Sequence, residues 1–250
     1  MSMPPPPRPD VAGPSGPPDR GVLPPATWNP LEAIAIFVLA VVVAGVLDLT
    51  LVQILPSCGA RFVVATLVGE LAFGGAVLVW VRFVAKAPLA ALGAPRRPLG
   101  DLGAGVVTGG ILVVVSEVVV VLVQLLASAI LGHQPAEPTQ VDTCVQGLSL
   151  AMLGPVVILA APFGEELLFR GFFYRGLRRR WRVWPSAVVS GLAFGLLHFQ
   201  GVSFLLIIPG LVVVGIGLAL VFERRQSILA SMAAHATFNL VGFLSIALHR

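Results

Sequence analysis

Residues 102–131 read LGAGVVTGGILVVVSEVVVVLVQLLASAIL, thirty residues holding one acid, Glu117, and no base. A helix rises 1.5 Å per residue, so roughly 20 apolar residues cross a hydrocarbon core. This stretch therefore reads as a membrane span, and working outward from it finds six more apolar runs. They are Leu31–Leu55, Phe62–Phe83, Leu148–Phe169, Pro185–Phe199, Ser203–Phe222 and Ile228–Leu248, of which Pro185–Phe199 is the shortest. Lipid offers a bare backbone no hydrogen-bond partner, and the strict alternation of a barrel is missing, so each run should be a helix. The expected fold is all-α: a polytopic bundle of about seven transmembrane helices. A hydrophobic fraction of 57%, a charged fraction of 11% and a mean hydropathy of +0.95 exclude an ordinary soluble domain.

Residues 1–30 contain eleven of the 21 prolines and almost no aliphatic clustering, which predicts a disordered tail ahead of a transmembrane domain at 31–250. The first apolar run starts too late and runs too long for a signal peptide and is read as a retained helix. Orientation follows from the basic residues. With the N-terminus inside, the inner segments hold Arg8, Arg20, Arg82, Lys86, Arg96, Arg97, Arg175, Arg178, Arg179, Arg180, Arg182, Arg224 and Arg225; the outer ones hold Arg61 and Arg250. Thirteen against two is a positive-inside bias. It predicts a cytoplasmic N-terminus in a cell membrane, and the valine-, alanine- and glycine-rich composition leans toward a bacterial plasma membrane. The net charge of +4 reflects topology and contact with the lipid bilayer, with no nucleic-acid partner. Trp28, Trp80, Trp181 and Trp184 fall near the predicted inner interface, where indole rings settle. Cys58 and Cys144 lie in outer loops; pairing and two free thiols are both open.

An ionisable side chain at membrane depth costs roughly 2.5–3.5 kcal/mol on insertion scales, so each needs a partner or a purpose. The stretch GEELLFRG, Gly164 to Gly171, holds three. Residues four apart share a helix face, so Glu166 can pair with Arg170, while Glu165 is rotated by about 100° and left over. Two further helices carry FGLLHF, with Phe194 one turn before His198, and HATFN, with His235 and Asn239 on one face. Taken singly, each residue reads as packing or helix-to-helix glue. Together, an unpaired carboxylate, two imidazoles and a carboxamide form a set that can activate water and hold an oxyanion. Counting from the predicted inner ends puts Glu165 and His235 seven or eight residues deep and His198 thirteen past Pro185, which implies a cavity open to the cytoplasmic half of the membrane. Asp48, Glu70 and Glu117 receive no catalytic role.

Glu165-Glu166-x-x-x-Arg170, then Phe194-x-x-x-His198, then His235-x-x-x-Asn239 resembles the three ordered motifs of the CPBP family of intramembrane proteases. That family includes the CAAX prenyl proteases of the Rce1 type and the bacterial Abi proteins, and the resemblance covers about residues 148–240. It implies hydrolysis of a peptide bond in a cytoplasm-facing membrane cavity, with Glu165 and His198 activating water and His235 and Asn239 forming the oxyanion hole. Glu166, Arg170 and Phe194 would be structural. The implied partner is a peptide or membrane-protein substrate, lipidated in some relatives. No cofactor is favoured. A zinc site is the alternative, with Glu165, His198 and His235 as ligands, although the chain has no HExxH. Intramembrane acids and histidines also build proton relays, so a proton-coupled transporter or channel is a second reading; a non-catalytic immunity or scaffold protein is a third.

Overall fold

The computed structural model describes residues 26–55, 57–95, 97–136, 141 and 143–249. Of the expected tail at 1–30, residues 1–25 lie outside the described residues, as do the charges of Arg8, Arg20, Arg96 and Arg250; residues 26–30 are ordered, with Ala26 and Trp28 buried and Pro30 opening α1. Seven helices follow in chain order: α1 Pro30–Ile54, α2 Cys58–Val84, α3 Pro98–Leu131, α4 Leu148–Arg178, α5 Val183–Leu197, α6 Ile208–Arg225 and α7 Ile228–Leu248. There is no strand among the described residues. By length and composition α1, α2, α3, α4 and α7 can cross a membrane. The 15-residue α5 is apolar but shorter, and the 18-residue α6 ends in Glu223, Arg224 and Arg225; with them the helices number seven, roughly consistent with the expected bundle.

Local chemistry explains where the helices begin and end. Asn29 caps α1, its Oδ1 accepting from the amides of Leu31 and Glu32, while the Glu32 carboxylate accepts from the Asn29 amide and Pro30 takes the first helical position. Just before this cap Trp28 is buried, stacked 4.9 Å from Phe172 and donating Nε1–H to the Phe172 carbonyl at 2.9 Å. The start of α1 is thus fixed on α4. α3 stops at Gly132, whose φ of 72° is the left-handed conformation glycine adopts without strain. Cys58, the first residue of α2, is disulfide-bonded to Cys144, joining the start of α2 to the segment before α4.

Small residues set the spacing of the bundle, as expected where lipid removes any hydrophobic drive between helices. Gly105 and Gly109 let α3 lie against α7, where a β-carbon would collide with Ala230, Ala233 and Ala234. Gly191 and Gly215 likewise bring α5 and α6 into backbone contact. At the arginine-bearing end, Asp101 in the first turn of α3 binds Arg225 in the last turn of α6 at 2.6 Å. There Glu223 also accepts from Arg178 at 2.8 Å and from the Tyr174 hydroxyl at 2.9 Å, tying α4 to α6.

α4 differs from the run read in the sequence. It does not stop at Phe169 but continues to Arg178, and it switches to π-helical geometry over Val156–Ala160 and again over Leu167–Tyr174. The two wide turns flank Glu165 and Glu166, a placement common where a helix carries a functional site.

Candidate active site

Glu166 and Arg170 are both fully buried, and Arg170 Nη1 meets Glu166 Oε1 at 2.9 Å, the pairing expected from i, i+4 geometry. Arg170 spends its other arm on the Gly215 carbonyl of α6 at 2.9 Å and lies over the Phe194 ring, 4.8 Å from its centroid. Its charge is thus matched by one carboxylate, one carbonyl and two aromatic faces, the second being Phe169 at 5.5 Å. The same Glu166 oxygen receives Nδ1 of His235 at 3.0 Å. A carboxylate paired to arginine only accepts, so Nδ1 of His235 is the donor in this contact.

The other ring nitrogen, Nε2, lies 3.9 Å from Glu165 Oε2. His198 arrives from the other side. α5 ends at Leu197, so His198 is the residue that caps it and not part of an apolar helical face. The carbonyl of Phe194, near the end of that helix, accepts from His198 Nδ1 at 2.8 Å, and His198 Nε2 stands 4.0 Å from Glu165 Oε1. Phe194 spaces the two rings, with centroids 4.9 Å from His198 and 5.5 Å from His235. Both gaps to Glu165 are too long for a hydrogen bond and suit a bridging water.

Asn239 lines the same cavity, but its Nδ2 is held by the Val157 carbonyl at 2.7 Å. The sequence shows why this carbonyl is free. In the first π-helical turn the amide of Ala161 reaches back five residues to Val156, and the next donor in that ladder would belong to Pro162, which has no N–H. Asn239 supplies what Pro162 cannot, and one of its two amide hydrogens remains to face the cavity.

Glu70 went unassigned from the sequence, yet it sits at the site. It is buried and interacts with the Glu165 side chain across the α2–α4 contact. Gly164 makes this approach feasible, since a β-carbon there would strike the Glu70 backbone and carboxylate. The signal was present as an acid at membrane depth; what was missing was the long-range pairing of α2 with α4. Of the other two acids, Asp48 lines the cavity and Glu117 is exposed away from it.

As placed, Glu165, His198 and His235 do not form a zinc site. Donors around one tetrahedral zinc, at bonds of about 2.0–2.2 Å, stand roughly 3.3 Å apart. Here the gaps are 3.9 and 4.0 Å and involve different carboxylate oxygens. Among the described residues no three His, Cys, Asp or Glu side chains gather as a metal-binding group.

The cavity holds about 720 Å³. From Glu165 its lining runs past Thr66 and Phe243 to Cys58, Arg61 and Val141; among the described residues none of the lining comes from 85–97, 175–182 or 224–227. With α4 extended, Glu165 lies 17 residues after Leu148 and 13 before Arg178, near the middle of the helix. The same extension removes the depth mismatch with His198, which stands 15 residues beyond the start of α5.

Residues 147–241 match the family model described as type II CAAX prenyl endopeptidase Rce1-like. This bears out the resemblance carried by the three motifs, and the matched segment contains Glu165, His198, His235 and Asn239. No curated protein and no solved structure matches the chain.

Proposed function

We propose that this chain is an intramembrane endopeptidase of the CAAX-protease type in which Glu165 and His198 activate water. The observation that carries the reading is the pair of gaps around Glu165: an acid without a cation of its own, facing two imidazole nitrogens at 3.9 and 4.0 Å in a cavity. A water held there loses a proton to Glu165 as its oxygen forms a bond to the carbonyl carbon of the scissile peptide. The carbonyl oxygen becomes an oxyanion. Asn239 offers its remaining amide hydrogen to that oxygen, and His235 can offer a second donor only by taking up a proton at Nε2. The proton on Glu165 then passes to the departing amide nitrogen, directly or through His198, the C–N bond breaks, and a new carboxyl and a new amine result. Glu166 and Arg170 hold His235 in the tautomer this geometry needs, in the way that partners of a catalytic histidine fix its orientation.

The test is incubation of detergent-purified protein with a peptide library, read by mass spectrometry. Glu165→Gln and His198→Ala should each cut turnover by roughly 10²–10⁴-fold, the share usual for a general acid–base group. Neither should shift thermal unfolding much, because neither side chain is in an ion pair shorter than 3.9 Å. Cleavage that persists in Glu165→Gln would overturn the proposal.

A further inference from the structure

We infer that the cavity is loaded from the extracytoplasmic face, and that its substrate is an extended peptide segment presented on that side of the membrane. The identity of the occupant as substrate rests on the hydrolase reading above; the sidedness of the cavity rests on geometry alone.

Three observations converge on one face. First, the lining of the cavity reaches Cys58, Arg61 and Val141, all in or beside the connections at the ends of α1, α2 and α3, whereas the described lining includes nothing from the opposite connections at 85–97, 175–182 and 224–227. Second, that opposite end is shut. Asp101–Arg225, Arg178–Glu223 and Tyr174–Glu223 bind α3, α4 and α6 together there, and Trp28 seals α1 onto Phe172. Third, two independent markers name the open face. Arg82, Lys86, Arg97, Arg175, Arg178, Arg179, Arg180, Arg182, Arg224 and Arg225 all belong to the shut end, while Arg61 belongs to the open one, so the positive-inside rule makes the open end extracytoplasmic. The Cys58–Cys144 disulfide stands at the same open end, and disulfides persist in oxidising compartments.

The depth of the site defines what can enter. Glu70, which touches Glu165, is twelve residues along α2 from Cys58. At 1.5 Å per residue that is about 18 Å, and a strand covers 3.3 Å or so per residue, so a substrate needs roughly five or six extended residues between the mouth and the scissile bond. A segment folded up to the membrane surface does not reach.

Cysteine accessibility tests the sidedness directly. Thr66 lines the cavity between Cys58 and Glu70 and carries no proposed chemistry, while Arg180 is exposed at the shut end. With the native disulfide retained, Thr66→Cys is expected to react with a membrane-impermeant maleimide added to intact spheroplasts and to be protected in inverted membrane vesicles. Arg180→Cys should show the reverse and so reports that each preparation is sealed. Labelling of Thr66→Cys from the inverted face only, from both faces alike, or from neither while Arg180→Cys behaves as stated overturns the inference. Labelling needs no turnover, so it should be unchanged in a Glu165→Gln background. Loss of hydrolysis and loss of sidedness are therefore read separately.

Discussion

His235 donates an Nδ1–H hydrogen bond to Glu166 across 3.0 Å, at the same carboxylate oxygen that Arg170 holds at 2.9 Å. The adjacent glutamates thereby part company. Glu166 is consumed by two neighbours and becomes a fixture, and Glu165, one residue earlier and about 100° around the helix, faces the Nε2 atoms of two imidazoles. The charge that costs most in the membrane is neutralised where it stands, and the charge left over is the one placed for chemistry.

Glu166→Gln should be severely destabilising. It keeps the shape and an amide oxygen that can accept, but removes the negative charge and leaves the buried Arg170 uncompensated, and breaking a buried pair from one side costs about 3–5 kcal/mol. Thermal unfolding in detergent should recover most of that loss in the double variant Glu166→Gln/Arg170→Met, where no unmatched charge remains. A double variant as unstable as the single one would mean that Glu166 stabilises the fold by some other route. Peptide cleavage should stay low in both, because His235 no longer has an acceptor that compels its tautomer.

How far the sequence reached is instructive in its particulars. Helix periodicity was enough to separate Glu165 from Glu166 and to pair Glu166 with Arg170, because i, i+4 contacts are local. Apolar run length sufficed for seven helices. What stayed illegible was non-local or depended on a switch in helix type. Glu70 meets Glu165 only because Gly164 lets α2 close on α4. α4 passes through two π-helical stretches and continues to Arg178, where hydropathy alone ended it at Phe169, and that difference places Glu165 near the middle of the helix. His198 was read as lying within a helix, yet it caps one, and this is what turns its Nδ1 to a free carbonyl.

The disulfide should be visible and should matter. Cys58 and Cys144 are 86 residues apart in sequence, and closing a loop of that length is worth up to about 4–5 kcal/mol in a chain-entropy account of a soluble chain. Membrane-inserted helices are already confined, so a smaller effect is expected. Non-reducing electrophoresis should show a faster band that shifts on reduction, and Cys58→Ser should abolish the shift and lower the melting temperature in detergent. A shift that survives Cys58→Ser would remove the bond.

Gly164→Ala should be far more harmful than its size implies. The added methyl would meet the Glu70 backbone and carboxylate, forcing α2 and α4 apart at the catalytic acid, and overpacking of this kind typically costs about 1–3 kcal/mol. Gly75→Ala is the matched control: its added methyl meets nothing within 4 Å, and alanine is the better helix former by about 0.5–1 kcal/mol. Peptide cleavage and melting temperature should both fall for Gly164→Ala, while Gly75→Ala should match or exceed the parent in stability. Equal behaviour of the two would show that the α2–α4 contact does not position Glu165.

Asn239 carries two jobs that one pair of substitutions can separate. Its Nδ2 satisfies the Val157 carbonyl, which lacks a helical donor because Pro162 stands where the next amide of the π-helical turn would be. Asn239→Leu should therefore cost roughly 1–3 kcal/mol by leaving that acceptor unmet. Adding Pro162→Ala restores an N–H within reach of the same carbonyl and should return much of the lost melting temperature. If the amide only braces α7 against α4, cleavage should return along with stability. If its second hydrogen also meets the developing oxyanion, stability should return and turnover should not, with a residual deficit of about 10²–10³-fold, the usual loss for one such donor. Thermal unfolding and peptide turnover measured on the parent, the single and the double variant decide between the two, and full recovery of turnover would strike Asn239 from the chemistry.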